Sequence, residues 1–553
     1  SLDEAKKVTA KFKTAFVLPP RKISDITEFL SLQKRRDVGV LGRLQREADQ
    51  KPPATKDTGD LASFYFKRAT AASHLGRGKQ AIRDNRKAAD LAILDNPGSS
   101  LARMATHNYS LAEVLYGNYG KGLKGMEESL SLSTSTGARL ARQILLAGMY
   151  AAGGEIGKAE EYLAVASSNM GDLYNWSNIG ALSMEVLFDN ARAFIMTAKG
   201  NTAEAEALLR KTIESWRPFK DKDMSASGVD PKTAGRIHVY FLRNLGQLLL
   251  DQGRYVEAET IGREAVLFVI PLYGRYSSHT ARALRILTLS IFRQGRFSEA
   301  AQLALDSIDV LKLGGNTSNS KSLAMARKLQ ADIWASQGKW KQAIQVYVQI
   351  KKDMASDQAT YEQYLAGNLN WVLAHLKVGE ITEAKIIVEE DYLRSLRRFG
   401  KKHYQTALDL GFIASIKTLI GEKQTAIAEF RKVVPILLSR SREINSDKTS
   451  KAMQDRHITF ILESYLLLLA DIRGTRLEDE AGIDATGKAF LIANTLRGRS
   501  VQRALAASSA RATLNDPELS NLARREQDSQ IHLENLWALL TVEMSRPNTQ
   551  QNA

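Results

Sequence analysis

The chain has 553 residues, 44% of them hydrophobic and 25% charged, a globular balance at a length too great for one core. It holds no cysteine, which excludes disulfides, thiolate-ligated zinc and a thiol nucleophile within the chain. Lys and Arg outnumber Asp and Glu by 77 to 61, a net charge of +16, which at this length serves solubility before it points to an acidic partner.

Eleven prolines in so long a chain favour helices over turns and strands. No run of 18 apolar residues occurs, so no membrane span is expected. The opening SLDEAKKVTAKFK lacks a signal-peptide core, which leaves the compartment open: cytoplasmic, or exported if a signal peptide has been removed.

Residues 1–59 read as a capping segment. Ile23, Ile26, Phe29 and Leu30 come after a Pro-Pro turn at helical spacing, with Ser24 as N-cap, and predict a short helix packed as a cap on the first repeat. From residue 60 a rhythm begins. DQGRYVEA (Asp251–Ala258) returns as RQGRFSEA (Arg293–Ala300), SQGKWKQA (Ser336–Ala343), KVGEITEA (Lys377–Ala384) and LIGEKQTA (Leu419–Ala426). The same Gly with a small residue five positions on occurs earlier as Gly76/Ala81, Gly117/Gly122, Gly154/Ala159 and Gly200/Ala205. Successive glycines lie 41, 37, 46, 53, 42, 43, 41 and 42 residues apart, a period that means a repeat array. Further small residues sit seven before the Gly (Ala69, Ala147, Ala193, Gly246, Ala331, Ala414) and seven after the Ala (Ala88, Ala166, Ala265).

This spacing predicts two antiparallel helices per unit. Gly makes the turn, small side chains let the helices cross closely, and an aromatic two residues after the Gly (Tyr119, Tyr255, Phe297, Trp340) covers the turn. Units one to four (60–215) are irregular, 216–235 reads as a loop, and units five to nine (236–438) are regular. Residues 439–553 carry a polar stretch, the apolar HITFILESYLLLLADI, an Ala-rich segment, and a stripe of Leu519, Leu522, Ile531, Leu533, Leu536 and Leu540 behind Asp516 and Pro517.

The pattern of Gly and Ala resembles the tetratricopeptide repeat (TPR), and the 41–43-residue units resemble the long repeats of kinesin light chain, as do YGRYSSHTARAL (Tyr273–Leu284) and FGKKHYQTALDL (Phe399–Leu410). The resemblance implies an all-α fold, a right-handed superhelical solenoid of about nine hairpins with terminal capping helices. Unit two departs from it with Gly122 in place of Ala, and unit nine with Lys423 in place of an aromatic.

AFLIANTLRGRSVQRALAASSARA and DPELSNLARREQD resemble the segment that joins TPR repeats to the protease-like domain of bacterial CHAT proteins, and PPRKISDITEFL resembles their leader. That likeness implies the non-catalytic N-terminal part of a TPR–CHAT-type protein, whose His/Cys dyad would lie outside this chain. A stand-alone cargo or assembly adaptor and a nucleic-acid-associated effector subunit are the other readings.

No P-loop, GxSxG or HExxH motif occurs, and the histidines form no HxH or HxxxH pair. His279 and His403 hold equivalent places in the two matching phrases, which suits a role at the repeat turn. Carboxylate pairs such as Glu127/Glu128 and Glu389/Glu390 suit helix surfaces. No catalytic residue, metal or cofactor is assigned.

The first helix of a TPR unit lines the concave groove, which selects Tyr240, Arg243, Asn244 and Gln247 in unit five, with Arg236 just before it. It also selects Arg282 and Arg285 in unit six, and Met325 and Lys328 in unit seven. Forked guanidinium and amide donors suit carboxylates and extended peptide backbones, so the expected partner is a protein or peptide of acidic character. A second basic group, Arg394, Arg397, Arg398, Lys401 and Lys402, reads as a helix C-terminus, where cations stabilise the dipole, before it reads as a phosphate contact.

Overall fold

The computed structural model describes residues 22–32, 38–153, 155–171, 178–199, 201–224, 231–313, 316–401, 403–440, 451–494 and 496. No strand occurs among them, and they form an array of helical hairpins. Two helices precede the array, α1 (Ser24–Leu32) and α2 (Val38–Asp49). The hairpins are α3/α4 (Thr58–His74, Gly78–Asp95), α5/α6 (Ser100–Tyr116, Tyr119–Ser131), α7/α8 (Thr136–Gly153, Ile156–Asn169) and α9/α10 (Asn178–Ala198, Thr202–Trp216). The regular half continues as α11/α12 (Pro231–Asp251, Tyr255–Tyr273), α13/α14 (Ser278–Arg293, Phe297–Leu313) and α15/α16 (Lys321–Ser336, Trp340–Asp353).

In unit eight the first helix is broken into α17 (Gln358–Tyr364) and α18 (Leu369–Val378), with Gly367 at φ 76° in the break, before α19 (Ile381–Phe399). Unit nine is α20/α21 (Tyr404–Leu419, Lys423–Arg440), and α22 (Lys451–Ile472) and α23 (Arg476–Ala481) close the described array with a helix over 485–494. The stripe behind Asp516 and nearly all of the two CHAT-like phrases lie outside the described residues.

The repeat residues do what their sizes require. Ala69, Ala81, Ala88, Ala147, Ala159, Ala166, Ala205, Ala258 and Ala265 are fully buried, as are Ala300, Ala331, Ala343, Ala384, Ala414 and Ala426. A side chain at Gly246 would come within 2.7 Å of Ile286 Cγ2 in the next unit. Adding methylenes at such a crossing forces helices apart, typically at about 1–3 kcal/mol. The turn glycines Gly76, Gly253, Gly295, Gly338, Gly379 and Gly421 have φ between 71° and 85°, the left-handed region that ends a helix without Cβ strain. Unit two departs again: Gly117 lies at φ −127°, and the Glu113 carboxylate accepts the Asn118 N–H in its turn.

Two features lie beyond the repeat pattern. The first is the seat of α1. It does not rest on the first hairpin, where a cap is expected; α2 does, with Leu44 and Ala48 against Ala71 and Leu75. Helix α1 lies on unit five, its Ile23, Ile26 and Leu30 sharing a core with Val266, Val269 and Ile270 of α12. Arg263 fixes it there, donating to both Asp25 oxygens at 2.5 and 2.6 Å and to the Lys22 carbonyl at 3.0 Å. The same guanidinium bonds fully buried Glu259 at 2.8 Å, whose other oxygen accepts from Arg296 and Gln294 at 2.7 Å each.

The second is the closure of the superhelix on itself. The turn after α3 meets the inter-unit loops of the regular half. Asn316 donates to the Leu75 carbonyl at 3.1 Å, Ser278 to the Ser73 carbonyl at 3.4 Å, and Lys79 approaches Asp357 at 3.6 Å. The His74 and Tyr273 rings meet edge-on at 6.3 Å. The first superhelical turn therefore rests on the second. A cleft of about 270 Å³ between Lys79, Tyr116, Lys121 and Asp357 marks the seam.

Candidate functional site

The helix period decides which side chains face the inside of this closed superhelix. Residues ten before the turn Gly occupy one register of the first helix: it is polar at His107, Asn190, Arg243, Arg285 and Lys328, and holds Phe66, Ile144, Leu369 and Gly411 in the other units. Helix α11 begins at Pro231, so Arg236 lies within it, near its start, rather than before it. Arg236 is exposed; Tyr240, Arg243, Asn244, Gln247, Arg282, Arg285 and Lys328 are half-buried.

Units five and six bring their selected residues together. Asn244 donates to Asn190 Oδ1 at 2.9 Å, and both amides bond the Tyr240 hydroxyl. Arg285 donates to Gln247 Oε1 at 3.1 Å, and Gln247 donates to Asp251 Oδ1 at 2.9 Å. Arg282 reaches across the seam to the Tyr116 hydroxyl of unit two at 3.0 Å, its guanidinium 5.8 Å from that ring. Arg243 stands between them without a hydrogen-bond partner among the described residues, and its Nε is buried and unbonded. Burial, reinforced by repulsion from Arg282 and Arg285, pushes the Arg243 guanidinium down to about 9. Burial lowers Arg285 as well, against the pull of Asp251.

Lys328 does not join this group. It pairs with Asp332 at 3.2 Å inside a separate network, in which Asp332 also accepts from Tyr347 at 2.6 Å and Asn370 at 3.0 Å, with buried His457 behind Asn370. The strip expected over three units is therefore broken at unit seven, because a carboxylate one helical turn away compensates its cation.

The positive surface continues instead onto units two and three, where the groove register alone selects no cation. Burial, helped by Arg142 and Arg236, holds His107 down to about 3, and its Nδ1 is buried without a partner. Burial and Arg103 lower Arg142 to about 10. His279 is held well below its usual range by burial and by Arg282, His74, Arg236 and Arg243. Cations of units two, three, five and six thus share one field. The register of Arg243, carried back into the irregular units, marks His107; only the closure of the superhelix reveals that the two walls oppose each other.

His279 and His403 both stand at the start of a first helix, His279 tilted against Tyr273 at 4.4 Å and His403 accepting the Gln405 N–H at 3.2 Å. Of the second basic group, Arg394 pairs with Asp391 in α19, and Lys402 lies outside the described residues. Among the described residues no three His, Asp or Glu side chains converge to hold a metal, and no helix is long and apolar enough to cross a membrane.

Residues 239–312, which hold most of this cluster, match the tetratricopeptide repeat family model. The chain carries tetratricopeptide repeats. Among solved structures, these TPR hairpins are similar to the quorum sensor NprR from B. thuringiensis in its apo form, at 13% identity over 71% of this chain and 97% of that one, with a TM-score of 0.43. The Rap conjugation gene regulator of plasmid pLS20, solved with the Phr* peptide, is 12% identical over 75% and 97%, with a TM-score of 0.38. A putative kinesin light chain from Podosopora anserina is 15% identical over 37% and 97%, with a TM-score of 0.30. Likenesses at these scores carry nothing about a ligand. No curated protein matches the sequence.

Proposed function

We propose that this TPR solenoid is a non-catalytic interaction scaffold that receives an acidic segment of a protein partner along its basic inner face. The observation that supports this most is Arg243: a half-buried cation without a hydrogen-bond partner, flanked by two further arginines, is a costly arrangement for stability alone. An incoming carboxylate would offset that cost. Forked donors with fixed geometry favour such a group, and the neighbouring Asn244 and Gln247 amides suit a peptide backbone. The enclosure of these arginines favours a thin extended chain over a nucleic-acid duplex, which binds to exposed phosphate-facing cations.

Charge reversal at Arg243 and Arg285 is expected to abolish binding of an acidic peptide measured by calorimetry. Unchanged affinity would remove the inner face from consideration. The likeness of 489–512 and 516–528 to CHAT linkers supports a narrower version, in which the scaffold serves a protease-like domain encoded beyond it. Sequencing past codon 553 tests that version, and a stop codon there overturns it.

A further inference from the structure

Neutralising the inner face takes more than one negative charge. Arg282 and Arg285 both repel Arg243, and the carboxylate that acts on Arg285, Asp251, already accepts from Gln247. Arg282 donates to a tyrosine hydroxyl and Arg285 to an amide, both neutral groups, so their positions are held by partners that carry no charge, and only Asp251 acts on Arg285 from further off. A guanidinium carries five N–H donors, so most donors of the three forks are left to a ligand. One carboxylate offers two oxygens and a single charge. A phosphate monoester offers three terminal oxygens and nearly two charges, and it is the group that converging arginines recognise in folded proteins.

We propose that the inner face seats a phosphorylated side chain of the partner segment, with Arg243 at the centre of the seat and Arg282 and Arg285 at its sides. This rests on the reading of the chain as a scaffold for acidic segments and sharpens it. Two arginines hold their places through neutral partners while the third has none, which is a preformed seat that waits for an anion. Because Arg282 is also tied to Tyr116 of unit two, the seat exists only while the two superhelical turns are closed.

The test uses the full chain and pools of short peptides with randomised flanks around a fixed central phosphoserine, glutamate or alanine, compared by calorimetry and anisotropy at one salt concentration. The phosphoserine pool is expected to bind at least about tenfold more tightly than the glutamate pool. Arg243→Ala is expected to bring the two within about threefold, and Arg243→Lys, which keeps charge without the fork, to recover only part of the gap. Arg397→Glu, on an exposed surface of α19, is the control for net charge. Equal or tighter binding of the glutamate pool overturns the phosphate assignment and leaves the scaffold reading standing. Failure of both anionic pools against alanine overturns both. Preference retained in Arg243→Ala protein that still melts cooperatively overturns the seat, as does tighter capture of duplex DNA than of the phosphoserine pool.

Discussion

Replacing Arg243 with methionine should make the protein more stable. The side chain keeps much of its length and loses the charge. The guanidinium falls from its usual value to about 9. At about 1.4 kcal/mol for each tenfold change, this caps the cost of keeping it charged at ~5 kcal/mol. Arg243 is half-buried rather than sealed, so solvent takes a share, and a gain of about 1–3 kcal/mol is the expected size, in the range found when buried charges give way to apolar residues. The sign comes from linkage. A base whose folded value is depressed costs stability in full below that value, and the cost is relieved as pH rises through about 9 toward the usual guanidinium value. Calorimetric melting at pH 7 should therefore show the Arg243→Met protein melting higher than wild type, with the gap narrowing at pH 10. The preference for phosphoserine over glutamate should be lost in the same variant, the pairing of gained stability and lost function expected of a binding residue. A lower melting temperature at pH 7 would refute the reasoning, because it would mean that the surroundings favour the charged arginine.

The seam and the core give two further expected outcomes. Gly76→Ala should cost about 2 kcal/mol or more, since the new methyl meets both the left-handed strain and the Asn316 amide that bonds Leu75. Gly295→Ala, with the same φ sign and open space around it, should cost only about 1 kcal/mol; equal losses in denaturant titration would mean that the superhelical turns do not dock at this seam. Asp409 is fully buried, and burial raises its carboxyl to about 7. An acid raised in the fold costs stability progressively as pH climbs from about 4 to 7, so Asp409→Asn should gain about 1–3 kcal/mol at pH 8 and little at pH 4. A gain of the same size at both pH values would count against that cause.

The repeat was legible because it is local. Gly253 and Ala258 are five residues apart, their spacing is dictated by one turn and one helix crossing, and every such pair says the same thing. The inner register was legible for the same reason, so Arg243 and Arg285 could be chosen from the helix period alone. What closes the molecule is not local. Asn316 meets Leu75 across 241 residues, Arg263 meets Asp25 across 238, and Arg282 meets Tyr116 across 166. The path of the solenoid depends on small rotations summed over many hairpins, and no single hairpin's sequence encodes that sum. Lys328 shows the same limit at short range: its register matches Arg243, yet Asp332 one turn on compensates its charge. The two cations therefore share a register and differ in their neighbours. In this chain the distinguishing neighbours of Arg243, Arg282 and Arg285, come from unit six, and Arg282 is itself held by Tyr116 of unit two, which is why the candidate site is a property of the closed superhelix and not of the repeat.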